Sequence, residues 1–161
     1  MALTLTSSAF TQKGSIPQEF TCDGADDSPP LEWKGPPAGT KSFVLIVDDP
    51  DAHDPKAPKM VYVHWVLYDI PPSITKIERA ASPKDARVGL NDWKKAAWGG
   101  PCPPIGRHRY FFKLYALDKT LGDLASPTKP KIEEAMRGHI LEQAELVGTY
   151  EHPKEIGRAH V

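Results

Sequence analysis

The chain has 161 residues, 40% of them apolar and 25% charged, and a formal net charge of −1. That length suits one domain over 1–161 with its own core, and so balanced a charge gives no field to draw in nucleic acid. No apolar run approaches the ~20 residues that span a bilayer, and two cysteines are too few for a disulfide framework.

The N-terminus, Met1-Ala2-Leu3-Thr4-Leu5-Thr6, has neither a basic region nor a continuous apolar core, so the expected address is cytoplasmic. Residues 2–10 alternate weakly, as an edge strand does. Gly14-Ser15-Ile16-Pro17 and residues 23–30 are turn chemistry, and Leu31-Glu32-Trp33 reads as a short strand. Ser42-Phe43-Val44-Leu45-Ile46-Val47-Asp48 is a continuous apolar run, the pattern of a strand buried on both faces. It stops at Asp49-Pro50-Asp51. Alternation puts Asp49 on the face of Phe43, Leu45 and Val47.

After a polar excursion at 52–59, residues 60–70 form a second strong strand, with Tyr62, His64, Val66 and Tyr68 expected on one face. Residues 73–89 are polar and carry little pattern beyond one short helical turn. Gly99-Gly100-Pro101-Cys102-Pro103-Pro104-Ile105-Gly106 is a Gly/Pro loop that runs into the aromatic strand His108-Arg109-Tyr110-Phe111-Phe112. On that strand His108 and Tyr110 share a side and Arg109 takes the other, where an acidic partner such as Asp51 suits it. Residues 129–147 carry Ile132, Ala135, Met136, Ile140, Ala144 and Val147 at helical spacing, with Thr128 as N-cap and Gly148 as stop. Gly138 inside that span predicts a bend. On the same helix His139 and Gln143 fall near the apolar stripe. Residues 152–161 read as a loose tail. The expected fold is mainly β: a two-sheet antiparallel sandwich with short peripheral helices and one C-terminal helix.

Asp49, His64, His108 and Tyr110 interrupt otherwise apolar strand ends. Singly, each reads as ordinary structure: a satisfied core histidine, a turn aspartate, a packed tyrosine. Together with amides of the Gly/Pro loop they supply donors for a small oxyanion, above all a phosphate ester. Asp49 opposes a dianion, so its place there is to orient an imidazole or to receive a ligand hydroxyl or ammonium.

Asp49-Pro50-Asp51, the strand of His64, and Gly100-Pro101-Cys102-Pro103-Pro104 followed by His108-Arg109-Tyr110 resemble the signature blocks of the phosphatidylethanolamine-binding protein (PEBP), or Raf kinase inhibitor protein, family. Thr21-Cys22-Asp23-Gly24 with Ser28-Pro29-Pro30-Leu31-Glu32-Trp33 resembles its bacterial and archaeal branch, and the similarity runs from about Phe10 to Tyr150. The resemblance implies a sandwich-like fold with a pocket for phosphate or phosphorylethanolamine. It implies as ligand set Asp49, His64, the backbone N–H of Gly100, His108 and Tyr110, with Pro50, Trp98, Pro101 and Cys102 as walls. His53 stands where family members often carry proline, and Cys102 where the animal members carry it. The family layout brings the Cys22 block toward the pocket of Cys102, which leaves a Cys22–Cys102 bridge open, with a reduced pair the expectation in cytosol.

The function expected is that of a binding or regulatory, inhibitor-like module rather than an enzyme. It needs no cofactor and no metal, and it leaves room for an unidentified protein partner. One rival pairs Cys102 with His108 as thiol and base of a hydrolase. Another makes Asp49, His64 and His108 a two-histidine, one-carboxylate metal site.

Overall fold

The computed structural model describes residues 2–153. Its elements run β1 (Thr4–Thr6), a 3-10 turn (Gln18–Phe20), β2 (Leu31–Lys34), β3 (Ser42–Ala52), β4 (Met60–Ile70), β5 (Lys76–Ile77), β6 (Arg87–Val88), β7 (His108–Leu117), α1 (Lys129–Met136) and β8 (Ile140–Tyr150). The strands form two antiparallel sheets, β1-β2-β5 and β6-β4-β3-β7-β8.

The apolar run at 42–48 became the middle strand of the larger sheet, and it is buried on both faces as its composition requires. Phe43, Leu45 and Val47 meet Leu5, Leu31 and Trp33 of the small sheet in the first core. Val44 and Ile46 meet Ile132 and Met136 of α1 in the second. Each such side chain contributes roughly 1.5–3 kcal/mol on burial, so this one strand welds three layers together. Asp48, buried on the α1 side, accepts from Lys113 (3.2 Å) and Lys129 (2.8 Å), and the latter bond fixes the start of α1.

The expected helix over 129–147 is half right. α1 ends at Met136, Arg137 leaves helical angles, and Gly138 takes φ +82°. The chain then reverses into β8, which pairs antiparallel with β7 from Leu117↔Ile140 to His108↔Tyr150. The missed signal is the alternation Ala144, Leu146, Gly148, Tyr150, whose large members pack on the first core. Gly148 is no helix stop: it lies in β8, where a Cβ would strike Ile16 and Phe10. His139 sits in the connecting turn, bonded to Asp118 (2.9 Å), and Gln143 lies in β8 opposite Tyr115. The outer edge of β8 is covered by residues 12–16, through bonds such as Ile16 N–H to Thr149 O (2.8 Å).

Residues 73–89, expected to be nearly patternless, contain β5 and β6. Cys22 and Cys102, expected reduced, are joined as a disulfide with their Cα atoms 5.4 Å apart. Of the expected loose tail, His152 is bonded to Asp23 (2.7 Å), and residues 154–161 lie outside the described residues. No helix among the described residues is long and apolar enough to cross a membrane.

Candidate functional site

β7 enters the sheet at His108, and its pleat sends His108 and Tyr110 inward and Arg109 outward, as the sequence predicts. Arg109 meets Asp51 in a two-point ion pair (Nε–Oδ2 3.0 Å, Nη2–Oδ1 2.9 Å), and its backbone N–H also donates to Asp51 (2.9 Å). Those bonds hold the Asp51 carboxyl below the usual range. Asp49 stands on the inner face of β3.

His64 reaches this face through a departure from regular pairing. Val47 pairs with Trp65 but Asp48 with Val63, so β4 carries one extra residue there, a β-bulge. Strict alternation would have kept His64 with Val66 and Tyr68. The bulge instead leaves Val66 and Tyr68 in the second core and turns Tyr62 and His64 to the side of Asp49 and Tyr110. The bulged backbone is satisfied by the 91–99 loop. Gly99 N–H donates to His64 O (3.0 Å), and Asp92 N–H donates to Val63 O (2.9 Å).

Asp49, His64, His108 and Tyr110 line one cavity of about 280 Å³, with Cys102 on its wall. Asp49 and His108 are almost fully buried. Asp49 Oδ2 lies 2.6 Å from His108 Nδ1, and Asp49 Oδ1 accepts the N–H of Asp51 (2.7 Å). Burial lifts the Asp49 carboxyl above its ordinary range, against the pull of the His108 bond. His108 Nε2–H donates to Ile105 O (2.8 Å). Both ring nitrogens of His108 are thereby committed, so the imidazole orients Asp49 and shares a proton with it, and offers no donor to a guest.

His64 differs. Its Nδ1–H donates to Gly99 O (2.7 Å), and burial lowers its pKa to about 4. The ring is neutral near pH 7, and Nε2 carries a lone pair where the sequence reading expected a donor. Tyr110 stands edge-on to it, ring centroids 5.2 Å apart, and its hydroxyl has no hydrogen-bond partner among the described residues. Burial, reinforced by Asp49 and Asp51, raises the phenol pKa, so Tyr110 keeps its proton.

The remaining expected residues part company. Gly100 donates its N–H to Asp26 Oδ1 (3.0 Å). Gly100 and Trp98 line a neighbouring cavity of about 290 Å³ with Cys22 and Asp26, and burial raises the Asp26 carboxyl. Pro50 and Pro101 line neither cavity. Sequence reasoning missed Tyr62, Trp93, His53, Ala52, Pro103 and Pro104 as lining residues. Tyr62 was within reach, two positions before His64. Trp93 comes from an irregular loop without period. It is set by Asn91, whose side chain accepts from Trp93 N–H (2.9 Å) and Lys95 N–H (3.1 Å) and donates to Ala97 O (2.8 Å). Tyr62 and Trp93 then meet edge to face at 4.9 Å, giving the cavity an aromatic side.

Neither rival chemistry fits. With the bridge closed Cys102 is no free thiol, and with it open or closed both His108 ring nitrogens are held by Asp49 and Ile105, leaving no lone pair to act as its base. For the same reason His108 cannot join Asp49 and His64 around a metal.

The family model for phosphatidylethanolamine-binding protein matches residues 6–151. A UPF0098 protein of Methanothermobacter thermautotrophicus is 44% identical over 153 residues, covering 92% of this chain and 98% of the relative. The solved structure of a PEBP homolog from Chlamydia trachomatis, CT736, is 41% identical, with TM-score 0.89 over 94% of this chain and 99% of that one. YbcL of E. coli, described as a member of the mammalian PEBP family, is 30% identical with TM-score 0.85, over 95% and 100% of the two chains.

Proposed function

The chain belongs to the phosphatidylethanolamine-binding protein family, and from that premise we propose that it is a binding module for a small phosphate-bearing ligand, seated between His64 and Tyr110. The observation that carries the reading is a pair of polar atoms without a partner among the described residues, His64 Nε2 and the Tyr110 hydroxyl, on one cavity beside the Asp49–His108 pair. With its one N–H given to the Gly99 carbonyl, the neutral His64 ring cannot donate to a phosphate dianion. It accepts from a phosphate that keeps one proton, while Tyr110 donates to a second oxygen. A phosphate monoester therefore binds as its monoanion, or carries a proton in with it to His64.

Asp49 and the aromatic pair Tyr62 and Trp93 suit a cationic or hydroxyl-bearing tail, an ammonium gaining both charge and ring contacts. Phosphorylethanolamine has both ends. A cytoplasmic address belongs to the same proposal, and there the exposed Cys22–Cys102 bridge meets thiol reductants. Titration calorimetry with inorganic phosphate and with phosphorylethanolamine tests the reading. Saturable heat with both, tighter for the amine, is expected; heat unchanged by Tyr110→Phe contradicts it.

A further inference from the structure

Beside the pocket, and apart from its proposed ligand, stands a second set of groups. The Sγ atoms of Cys22 and Cys102 and a ring nitrogen of His152 all lie within 4.8 Å of one another. We propose that these three residues form a thiol-gated zinc site: closed as a disulfide, and competent for Zn²⁺ once a dithiol or phosphine reductant opens the bridge. Two thiolates and an imidazole are ligand types that zinc takes readily, and three protein ligands leave its fourth position open.

The three ligand-bearing segments are held together by bonds that do not involve the sulfurs. Cys22 N–H donates to Pro101 O (3.1 Å), and Gly100 N–H to Asp26 (3.0 Å), so the two cysteine loops stay joined without the bridge. Asp23, next to Cys22, accepts from the Tyr150 hydroxyl (2.6 Å) and from His152 Nδ1–H (2.7 Å). That carboxylate fixes the imidazole and leaves Nε2 as its ligating nitrogen, the arrangement by which carboxylates orient metal-binding histidines. With Zn–S near 2.3 Å, two thiolates on a tetrahedral ion stand about 3.8 Å apart. The Cα atoms are already 5.4 Å apart and both cysteines are exposed, so the side chains need only turn outward.

The steps balance. The reductant supplies two electrons, the S–S bond breaks and two thiols form. A dithiol leaves as its own disulfide; a phosphine takes the oxygen of one water, whose two protons go to the thiols, and leaves as its oxide. Zn²⁺ then displaces the two thiol protons into solvent and takes the His152 lone pair.

The test is a titration of the whole, phosphine-reduced protein with Co²⁺ as probe, followed by Zn²⁺. The expected result is a sulfur-to-cobalt charge-transfer band that saturates at one Co²⁺ per chain and is bleached by Zn²⁺. It is absent from the unreduced protein and from Cys22→Ser or Cys102→Ser. Asp23→Asn weakens binding about 10–100-fold, and His152→Gln at least as much, with circular dichroism unchanged in each. Three results overturn the proposal: no sulfur band from reduced, folded wild type; loss of the β spectrum on reduction alone; or undiminished affinity in His152→Gln.

Discussion

His64 and Gly99 are joined twice. Gly99 N–H donates to the His64 carbonyl at 3.0 Å, and His64 Nδ1–H donates to the Gly99 carbonyl at 2.7 Å. The clamp satisfies the bulge in β4 and at the same time selects the imidazole tautomer. What the cavity receives from His64 is an acceptor, and the pH behaviour of the protein follows from that.

The folded-state pKa of His64, about 4, lies below the 6.5 of an unfolded histidine. Between those values the unfolded chain binds the extra proton, so stability rises with pH across that window and is lost as pH falls from about 6.5 toward 4. The cost at the acid end is on the order of 3 kcal/mol. Urea unfolding at a series of pH values measures it, and His64→Asn, which keeps a donor toward Gly99, flattens the slope. Proton NMR of the ring in the ligand-saturated protein shows the His64 pKa raised above its free value.

Tyr110→Phe removes one hydroxyl from a buried ring and leaves the packing in place. The loss of a hydrogen bond to a charged ligand is expected to weaken phosphate binding by roughly 1.5–3 kcal/mol, at least tenfold. Thermal unfolding of the free variant shifts little, because that hydroxyl has no protein partner among the described residues to abandon. Calorimetry and a melting curve on the same sample separate the two.

Arg109→Ala tests the outer face of the same strand. The Arg109 side chain is 55% exposed, so solvent discounts its pair with Asp51, and about 1 kcal/mol of stability is expected to go. Asp51 contributes stability above the ordinary carboxyl pKa that is lost as pH falls through its depressed value, and the variant loses that acid limb. Phosphate affinity stays within twofold of wild type. A large loss of affinity assigns Arg109 to the site after all.

The Cys22–Cys102 bridge closes a loop across 80 residues. Replacing both cysteines with serine is expected to cost about 2–4 kcal/mol, mainly by freeing the unfolded chain. Urea midpoints with and without reductant measure it: reductant lowers the wild-type midpoint toward that of the variant, and leaves the variant where it is.

The architecture was readable where pattern and packing agree. The run at 42–48 had one structural solution, a doubly buried strand, and the aromatic density after His108 had another. The pair Arg109–Asp51 followed from alternation and charge alone. Alternation failed at His64, because a bulge is set by the partner strand and the 91–99 loop rather than by β4's own residues. It failed again past Gly138, where helical spacing over 140–147 fits a strand as well, and only pairing with β7 decides between them. Trp93 entered the cavity through hydrogen bonds of Asn91, which no periodicity announces. The donor role expected of both histidines was wrong for a local reason: Ile105 and Gly99 carbonyls take their ring protons.

Proton uptake on binding tests the central claim most directly. Titration calorimetry with phosphorylethanolamine, a monoester whose dianion carries no proton, at pH 7.5 and repeated in buffers of different ionisation enthalpy, counts the protons that enter with the ligand. The account predicts a net uptake approaching one proton per phosphate, and an affinity that falls by about tenfold per unit as pH climbs past the ligand's second pKa, ~6. Saturable binding with no proton uptake, or binding that tightens with rising pH, contradicts it.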